Sequence, residues 1–394
     1  MAPPNQRLKP LSVAFVSHYP HLRMGGQRSM ALLIEHIDRR VIEPMAICPG
    51  PGDLTDHLQA LGCAVVHIPL HPIKPRTLGA VWTSVQRIRA LLRERAIDII
   101  APDSPRDALT CGIAKLGTST KLVWFVQVTG HDRLDPILER LADGIIGVCD
   151  AARQRFSTAP RVGARYRTIL GGADLSRFNL PRDRGALRRE LGLPTDRAVL
   201  VFVGQVTEAK GILDIVEAFG LLPEPRPLLV IIGTPHPPEI AREIEARARA
   251  AGAWEGIRML GQREDVYRWM QAADLLVSGS HEDTEGMSRV LFEAMACGVV
   301  PVATDIRGNR EALTPDTAVL VPERSPAELG RAVMTLLGHP ERLSTMRSAG
   351  VRRARETFDI KQHARRVEAF CMAVVGRGGR GNERAEREGL GGRC

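Results

Sequence analysis

The chain has 394 residues, 44% of them hydrophobic, with a net charge of +9. That length suits two domains of ordinary size rather than one core. No apolar run approaches the roughly 20 residues of a membrane span. The seven cysteines (48, 63, 111, 149, 297, 371 and 394) contain no CxxC pair, which argues against a disulfide framework or a zinc site.

Residues 1–10 are polar and proline-rich and read as a loose leader with no signal-peptide layout. Leu11–Ser17 reads as a first strand. A loop with Gly25 and Gly26 follows, then a helix over 28–39. Strands are expected near 45–48 and 64–68. Residues 77–95 form a basic amphipathic helix, with Val81, Val85, Ile88, Leu91 and Leu92 at helical spacing. Further strands are expected at 97–101, 121–128 and 144–149. Strands alternating with helices call for a parallel sheet covered on both faces.

Gly171-Gly172, Pro181 and Pro194 break this pattern, placing a domain boundary near 175–180. It then restarts. Strands are expected at 198–204, 227–233 and 257–260, with helices at 211–222, 239–252 and 264–272. The stretch 274–304 reads as strand, polar turn, helix and strand, which is one right-handed βαβ unit. A strand at 318–321 and helices at 327–337 and 360–375 follow. The tail 376–394 is rich in Gly, Arg and Glu and is expected to be disordered.

Charge is unevenly placed. Residues 1–180 carry 23 Lys/Arg against 15 Asp/Glu, and the remainder 31 against 30. A basic first half suits an anionic substrate or lipid surface, or is simply a solvated surface. There is no nucleic-acid-binding motif, and at 4% aromatic content few rings could stack on bases.

Three stretches carry candidate chemistry. Gly204–Gly211 (GQVTEAKG) joins a strong strand to a helix. Backbone amides, the helix dipole and Lys210 would attract phosphate there, although an ordinary capped turn with an exposed lysine reads the same way. Glu285 lies where an α/β sheet opens onto a ligand crevice. The free amides of Gly286, Met287 and Ser288 beside it could meet a phosphate or a hydroxyl. Glu293 sits within the apolar helix VLFEAMAC, where a charge is costly unless a partner or ligand takes it; a solvated position is the alternative.

Residues 285–293, EGMSRVLFE, followed by AMACGVVPVAT, resemble the E-x7-E signature of glycosyltransferase family 4, the retaining GT-B (group 1) glycosyltransferases. MGGQRS (24–29), ILGGADLSRF (169–178), VGQVTEAKG (203–211) and DIRGNRE (305–311) resemble further segments of that family in the same order. The resemblance covers roughly residues 11–370.

It implies an α/β fold of GT-B type, two Rossmann-like domains facing each other across a cleft. An acceptor-binding domain would span 11–176 and a nucleotide-sugar-binding domain 177–358. A helix at 359–375 would cross back to the first domain. The resemblance implies that Lys210 contacts the donor diphosphate, with Gln205 where the family usually has arginine. Glu293 would bind the ribose, and Glu285 would sit by the transferred sugar near Gly286, Met287 and Ser288. Gly25 and Gly26 would let backbone approach phosphate or acceptor. His131 is the candidate for an active-site histidine, with His18 as a rival.

The implied activity is retaining transfer from a UDP-, GDP- or ADP-sugar to a saccharide or lipid-linked acceptor, in envelope or extracellular polysaccharide or glycolipid synthesis. No cofactor or metal is expected, consistent with the lack of any Asp-x-Asp pair. The alternatives are a GT-B sugar-nucleotide epimerase and a non-catalytic nucleotide-sugar-binding protein. The expected location is cytoplasmic, peripheral at the inner membrane face, where Val81–Arg95 and the Arg153–Arg167 stretch would meet anionic lipid.

Overall fold

The computed structural model describes residues 9–22, 25–156, 162–163, 165–282 and 285–376. Most of the expected leader and tail lies outside them. The strands are β1 (Leu11–Val16), β2 (Ile42–Cys48), β3 (Ala64–His67), β4 (Ile99–Pro102), β5 (Lys121–Val126), β6 (Gly144–Gly147) and β7 (Tyr166–Thr168) in the first half. The second half holds β8 (Val199–Val203), β9 (Leu228–Ile232), β10 (Ile257–Gly261), β11 (Leu275–Ser278), β12 (Val300–Thr304) and β13 (Val319–Val321). Helices α1 (Gly25–His36), α2 (Asp53–Ala60), α3 (Leu78–Glu94), α4 (Pro105–Ala114) and α5 (Asp135–Leu141) cover the first sheet. The second half carries α6 (Arg184–Glu190), α7 (Ile212–Gly220), α8 (Ile240–Ala250), α9 (Val266–Ala272) and α10 (Arg289–Ala296). It continues with α11 (Arg307–Ala312), α12 (Pro326–Leu337), α13 (Pro340–Thr357) and α14 (Ile360–Val374).

Both sheets are parallel throughout, ordered β3-β2-β1-β4-β5-β6-β7 and β10-β9-β8-β11-β12-β13. Each reverses its winding beside its first strand. In such a sheet the crevice beyond the carboxyl ends of the strands is the place for a ligand. Continuous apolar strands follow from burial on two faces. In β8, Leu200 and Phe202 pack in one core cluster while Val199 and Val201 pack in another on the opposite face. The expected two-domain α/β architecture is therefore present.

Helix α14 lies on the first domain although it follows the second in sequence. Ala364, Val367 and Cys371 join the cluster of Leu11, Val13, Ile34 and Val123. A side chain at Gly144 would collide with Phe370 and Val374 of this helix, at 2.8 and 2.9 Å. The strap before α14 is pinned by Ala173, whose amide donates to the Phe358 carbonyl at 2.7 Å and whose carbonyl accepts from Ile360 at 3.1 Å. Phe292 of α10 stacks on Phe358 with ring centroids 4.7 Å apart, tying the two domains to the same strap.

His363 of α14 points its Nδ1 at the Leu170 carbonyl, 2.7 Å away. Burial pushes its pKa down to about 4 from 6.5. The unfolded chain therefore takes up this proton first as pH falls, and the folded protein loses stability from about pH 6.5 down to about pH 4. A His363→Gln variant is expected to flatten that part of a Tm-against-pH curve. An unchanged slope would show that His363 does not carry it.

Candidate functional site

The turn after β8 is shaped by its glycines. Gly211 has φ +64°, and a side chain on it would lie 2.0 Å from the Gly279 carbonyl oxygen, so only glycine fits. Thr207 caps the single 3₁₀ turn Glu208–Lys210, its Oγ1 accepting from the Lys210 amide at 3.3 Å. This places Lys210 at the mouth of α7, at the carboxyl end of the sheet.

Lys210 Nζ lies 2.7 Å from Glu285 Oε2, with the two side chains 23% and 14% exposed. Ser280 Oγ donates to the same oxygen at 2.8 Å. The phosphate turn and the first E-x7-E glutamate, read separately from the sequence, thus form one cluster. Gln205, by contrast, is exposed.

The loop carrying Gly286 runs between the domains. A side chain at Gly286 would meet the Gln127 carbonyl oxygen at 2.4 Å, and one at Gly308 would meet the Gly286 carbonyl at 1.4 Å. Two glycines are what allow three backbones to stack there. Thr129 Oγ1 donates across the cleft to the Glu285 carbonyl at 3.1 Å. Gly286, Met287 and Ser288 are all buried in this contact.

Glu293 is 6% exposed and receives Arg289, one turn earlier, at 2.8 Å. It is not a solvated position. Arg289 also reaches Ser29 Oγ of α1 in the opposite domain at 3.4 Å. Arg28 of α1 adds a second guanidinium, its Nε donating to the Leu22 carbonyl at 3.1 Å. Lys210, Arg289 and Arg28 thus concentrate positive charge along the cleft against Glu285 and Glu293. Gly25 and Gly26 open α1 beside them, and Gly25 has open space where a side chain would be.

The structure does not gather His131 into this cluster. It is exposed in the loop after β5 and has no hydrogen-bond partner among the described residues. Three other histidines pair with carboxylates, one of them His21, exposed, with Asp53 at 3.0 Å. His281 Nε2 lies 3.1 Å from Asp214 Oδ2 beside the Lys210 turn, and its amide donates to the Ala209 carbonyl at 3.0 Å. His18 Nδ1 lies 2.6 Å from Asp107 Oδ2 in the first domain. His18, Asp103 and Asp107 bring possible cation-ligand atoms within 4.8 Å of one another, the one such group among the described residues.

Sequence reasoning missed Arg289, Arg28, Ser280, Thr129 and the His281–Asp214 pair. The Arg289–Glu293 pair has a local signal, an i,i+4 spacing. Ser280 lies in the same loop as Glu285, while Thr129, Arg28 of α1 and the His281–Asp214 pair come from segments far apart in sequence that no spacing rule relates.

Two family models match. One describes group 1 glycosyl transferases and matches residues 183–353; the other, a glycosyl transferase 4-like domain, matches 24–204. The chain belongs to the group 1 glycosyltransferases. Among curated relatives, the D-inositol 3-phosphate glycosyltransferase of Xylanimonas cellulosilytica is 33% identical over 202 residues, 49% of this chain and 48% of that one. A Corynebacterium glutamicum mannosyltransferase, GDP-mannose-dependent and named for monoacylated α-(1-6)-phosphatidylinositol monomannoside, is 26% identical over 290 residues, 68% of this chain and 74% of that one. The chain spans about half the length of the inositol phosphate relatives it matches. Anabaena HepE, solved with UDP, superposes with a TM-score of 0.78 at 19% identity, over 91% of this chain and 98% of that one. The group 1 glycosyltransferase fold, GT-B, is therefore the fold of this chain.

Proposed function

We propose that this glycosyltransferase moves a sugar from a nucleoside diphosphate to a hydroxylated acceptor with retention at the anomeric carbon. The observation that carries the reading is the Lys210–Glu285–Ser280 cluster at the carboxyl end of the second sheet. Lys210 meets the charge that develops on the leaving diphosphate. Arg289 and Arg28 supply the positive charge that Gln205 does not, so a metal is not required to offset the diphosphate. Glu285, freed from Lys210 by the diphosphate, faces the sugar as it gains oxocarbenium character. Glu293, held in place by Arg289, receives the ribose hydroxyls. HepE was solved with UDP and the Corynebacterium relative is named for GDP-mannose, which supports a nucleotide-sugar donor.

The test uses water as the acceptor. Slow hydrolysis of an α-linked donor, followed by proton NMR, is expected to release the α sugar first. First release of the β sugar would overturn retention.

The reading includes a lipid-facing surface for a lipid-linked acceptor, at the inner membrane face. Among the described residues no helix is long and apolar enough to cross a membrane. The contact expected from the basic residues of the first domain shifts in position. Arg155 is buried, and Arg87, Arg89 and Arg93 donate to carbonyls of their own domain. Leu78 and Trp82, one turn apart on α3, are 56% and 55% exposed, close in sequence to exposed Ile73, Lys74 and Arg76. An apolar pair flanked by cations suits an anionic interface. Leu78→Asp with Trp82→Asp is expected to abolish co-sedimentation with phosphatidylglycerol vesicles. Co-sedimentation equal to wild type would remove this surface from the account.

A further inference from the structure

The first domain encloses a cavity that the donor reading leaves unused. About 50 Å³ of it is open to the centre of a water-sized sphere, against the roughly 10–15 Å³ that one water needs. Its walls are mostly apolar: Phe15 and Phe125, with Met30, Leu33, Ile146 and Ile169. The two phenylalanine rings lie 6.4 Å apart and tilted by 51°. An apolar, aromatic-sided space of this kind takes an apolar ring rather than a sugar.

The cavity shares wall residues with the transfer site. Gly26 and Ser29 line it, and Ser29 is the residue that Arg289 reaches from the opposite domain. Gln127 lines it too, with its backbone against Gly286. One group in the wall is chemically incomplete. Asp103 Oδ1 is buried and has no hydrogen-bond partner among the described residues. A buried oxygen in that state costs free energy until something donates to it. Burial, and then the charge of Asp107, push the Asp103 carboxyl up. Either protonation state can bond a hydroxyl, as acceptor or as donor.

We propose that this cavity receives the ring-sized apolar body of the acceptor, with a hydroxyl of that body hydrogen-bonded to Asp103. The assignment rests on the glycosyltransferase reading for the word acceptor, but the site itself stands on the cavity and on Asp103 Oδ1, which has no partner among the described residues. It narrows the accepting end of the acceptor to a cyclic alcohol or phenol.

The experiment titrates the full chain, in EDTA, with 2-naphthol, naphthalene and 1-decanol by calorimetry. Binding of 2-naphthol is expected to be saturable, at least tenfold tighter than naphthalene or 1-decanol, and to show a negative heat-capacity change. Ala101→Leu, which fills the cavity from β4, is expected to weaken 2-naphthol at least tenfold. Asp103→Asn is expected to weaken 2-naphthol while leaving naphthalene unchanged. It keeps the proposal testable if Ala101→Leu fails to fold. No 2-naphthol binding, equal binding of naphthalene, tighter binding of 1-decanol, or indifference to both variants would each overturn the proposal. Nucleotide-sugar binding is measured on the same samples. A protein that binds nucleotide sugar but no naphthol loses this proposal alone. One that binds naphthol but no nucleotide sugar loses the glycosyltransferase reading and keeps the cavity.

Discussion

Replacing Lys210 with alanine is expected to lower kcat by about a hundred- to a thousandfold, the loss seen when one preorganised group facing developing charge is removed. The charge on the diphosphate grows as its bond to the sugar breaks, so the loss should appear in kcat more than in KM. The same substitution strips Glu285 of its 2.7 Å partner and leaves only Ser280 on that oxygen. Lys210→Arg keeps the charge and is expected to recover part of the rate. Glu285→Gln separates the roles: it spares the phosphate contact and removes only the charge that faces the sugar. Because Lys210 is partly exposed, Lys210→Ala should leave Tm nearly unchanged. A kcat within threefold of wild type would show that the diphosphate is held elsewhere in the cleft.

The second large effect is on stability. Arg155 and Asp135 form a buried ion pair, their side chains 1% and 5% exposed, through bonds of 2.6 and 3.2 Å. Arg155 also donates to the Val128 carbonyl at 3.2 Å, and its guanidinium lies 5.4 Å from the Trp124 ring centroid. Asp135→Ala leaves that guanidinium buried without its anion, at a cost of about 3–5 kcal/mol. For a domain of this size that corresponds to roughly 10 °C in Tm. The pair also fixes the loop between β5 and α5, which carries Thr129 to Glu285. Loss of activity at temperatures below the new Tm is therefore expected as well. Replacing both residues with apolar ones, Asp135→Leu with Arg155→Met, should recover much of the stability. A calorimetric scan of the three proteins checks all of this, and an Asp135→Ala Tm within 2 °C of wild type would contradict it.

The sheets were legible because their strands are unbroken apolar runs such as VLVFV and LLVII, ended by glycine. The βαβ unit around Glu285 and Glu293 was legible for the same reason. Helix α13 was not. It is an arginine-rich stretch whose buried face includes small residues, Ala349, Gly350 and Ala354, so its period is faint in the sequence. Helix α6 was lost inside the expected boundary region for a similar reason, since it is short and carries Arg188 as its buried residue. The site followed the same division. Lys210, Glu285 and Glu293 stand in motifs and were named. Thr129 and Arg28 reach the cleft from the first domain, Ser280 bonds Glu285 within one loop, and Gly286 and Gly308 matter for what they leave out. His131 was named because the resemblance implies a histidine after a first-domain strand. It is exposed in the loop after β5, and Thr129 of that loop bonds the Glu285 carbonyl.

The central claim is that this cleft binds a nucleoside-diphosphate sugar through Lys210. Calorimetric titration of the wild-type protein and Lys210→Ala with UDP-, GDP- and ADP-sugars, in EDTA, tests it most directly. The account predicts saturable one-to-one binding of at least one of the three, weakened at least tenfold in the variant. Binding of none of them, or equal binding to both proteins, would contradict it.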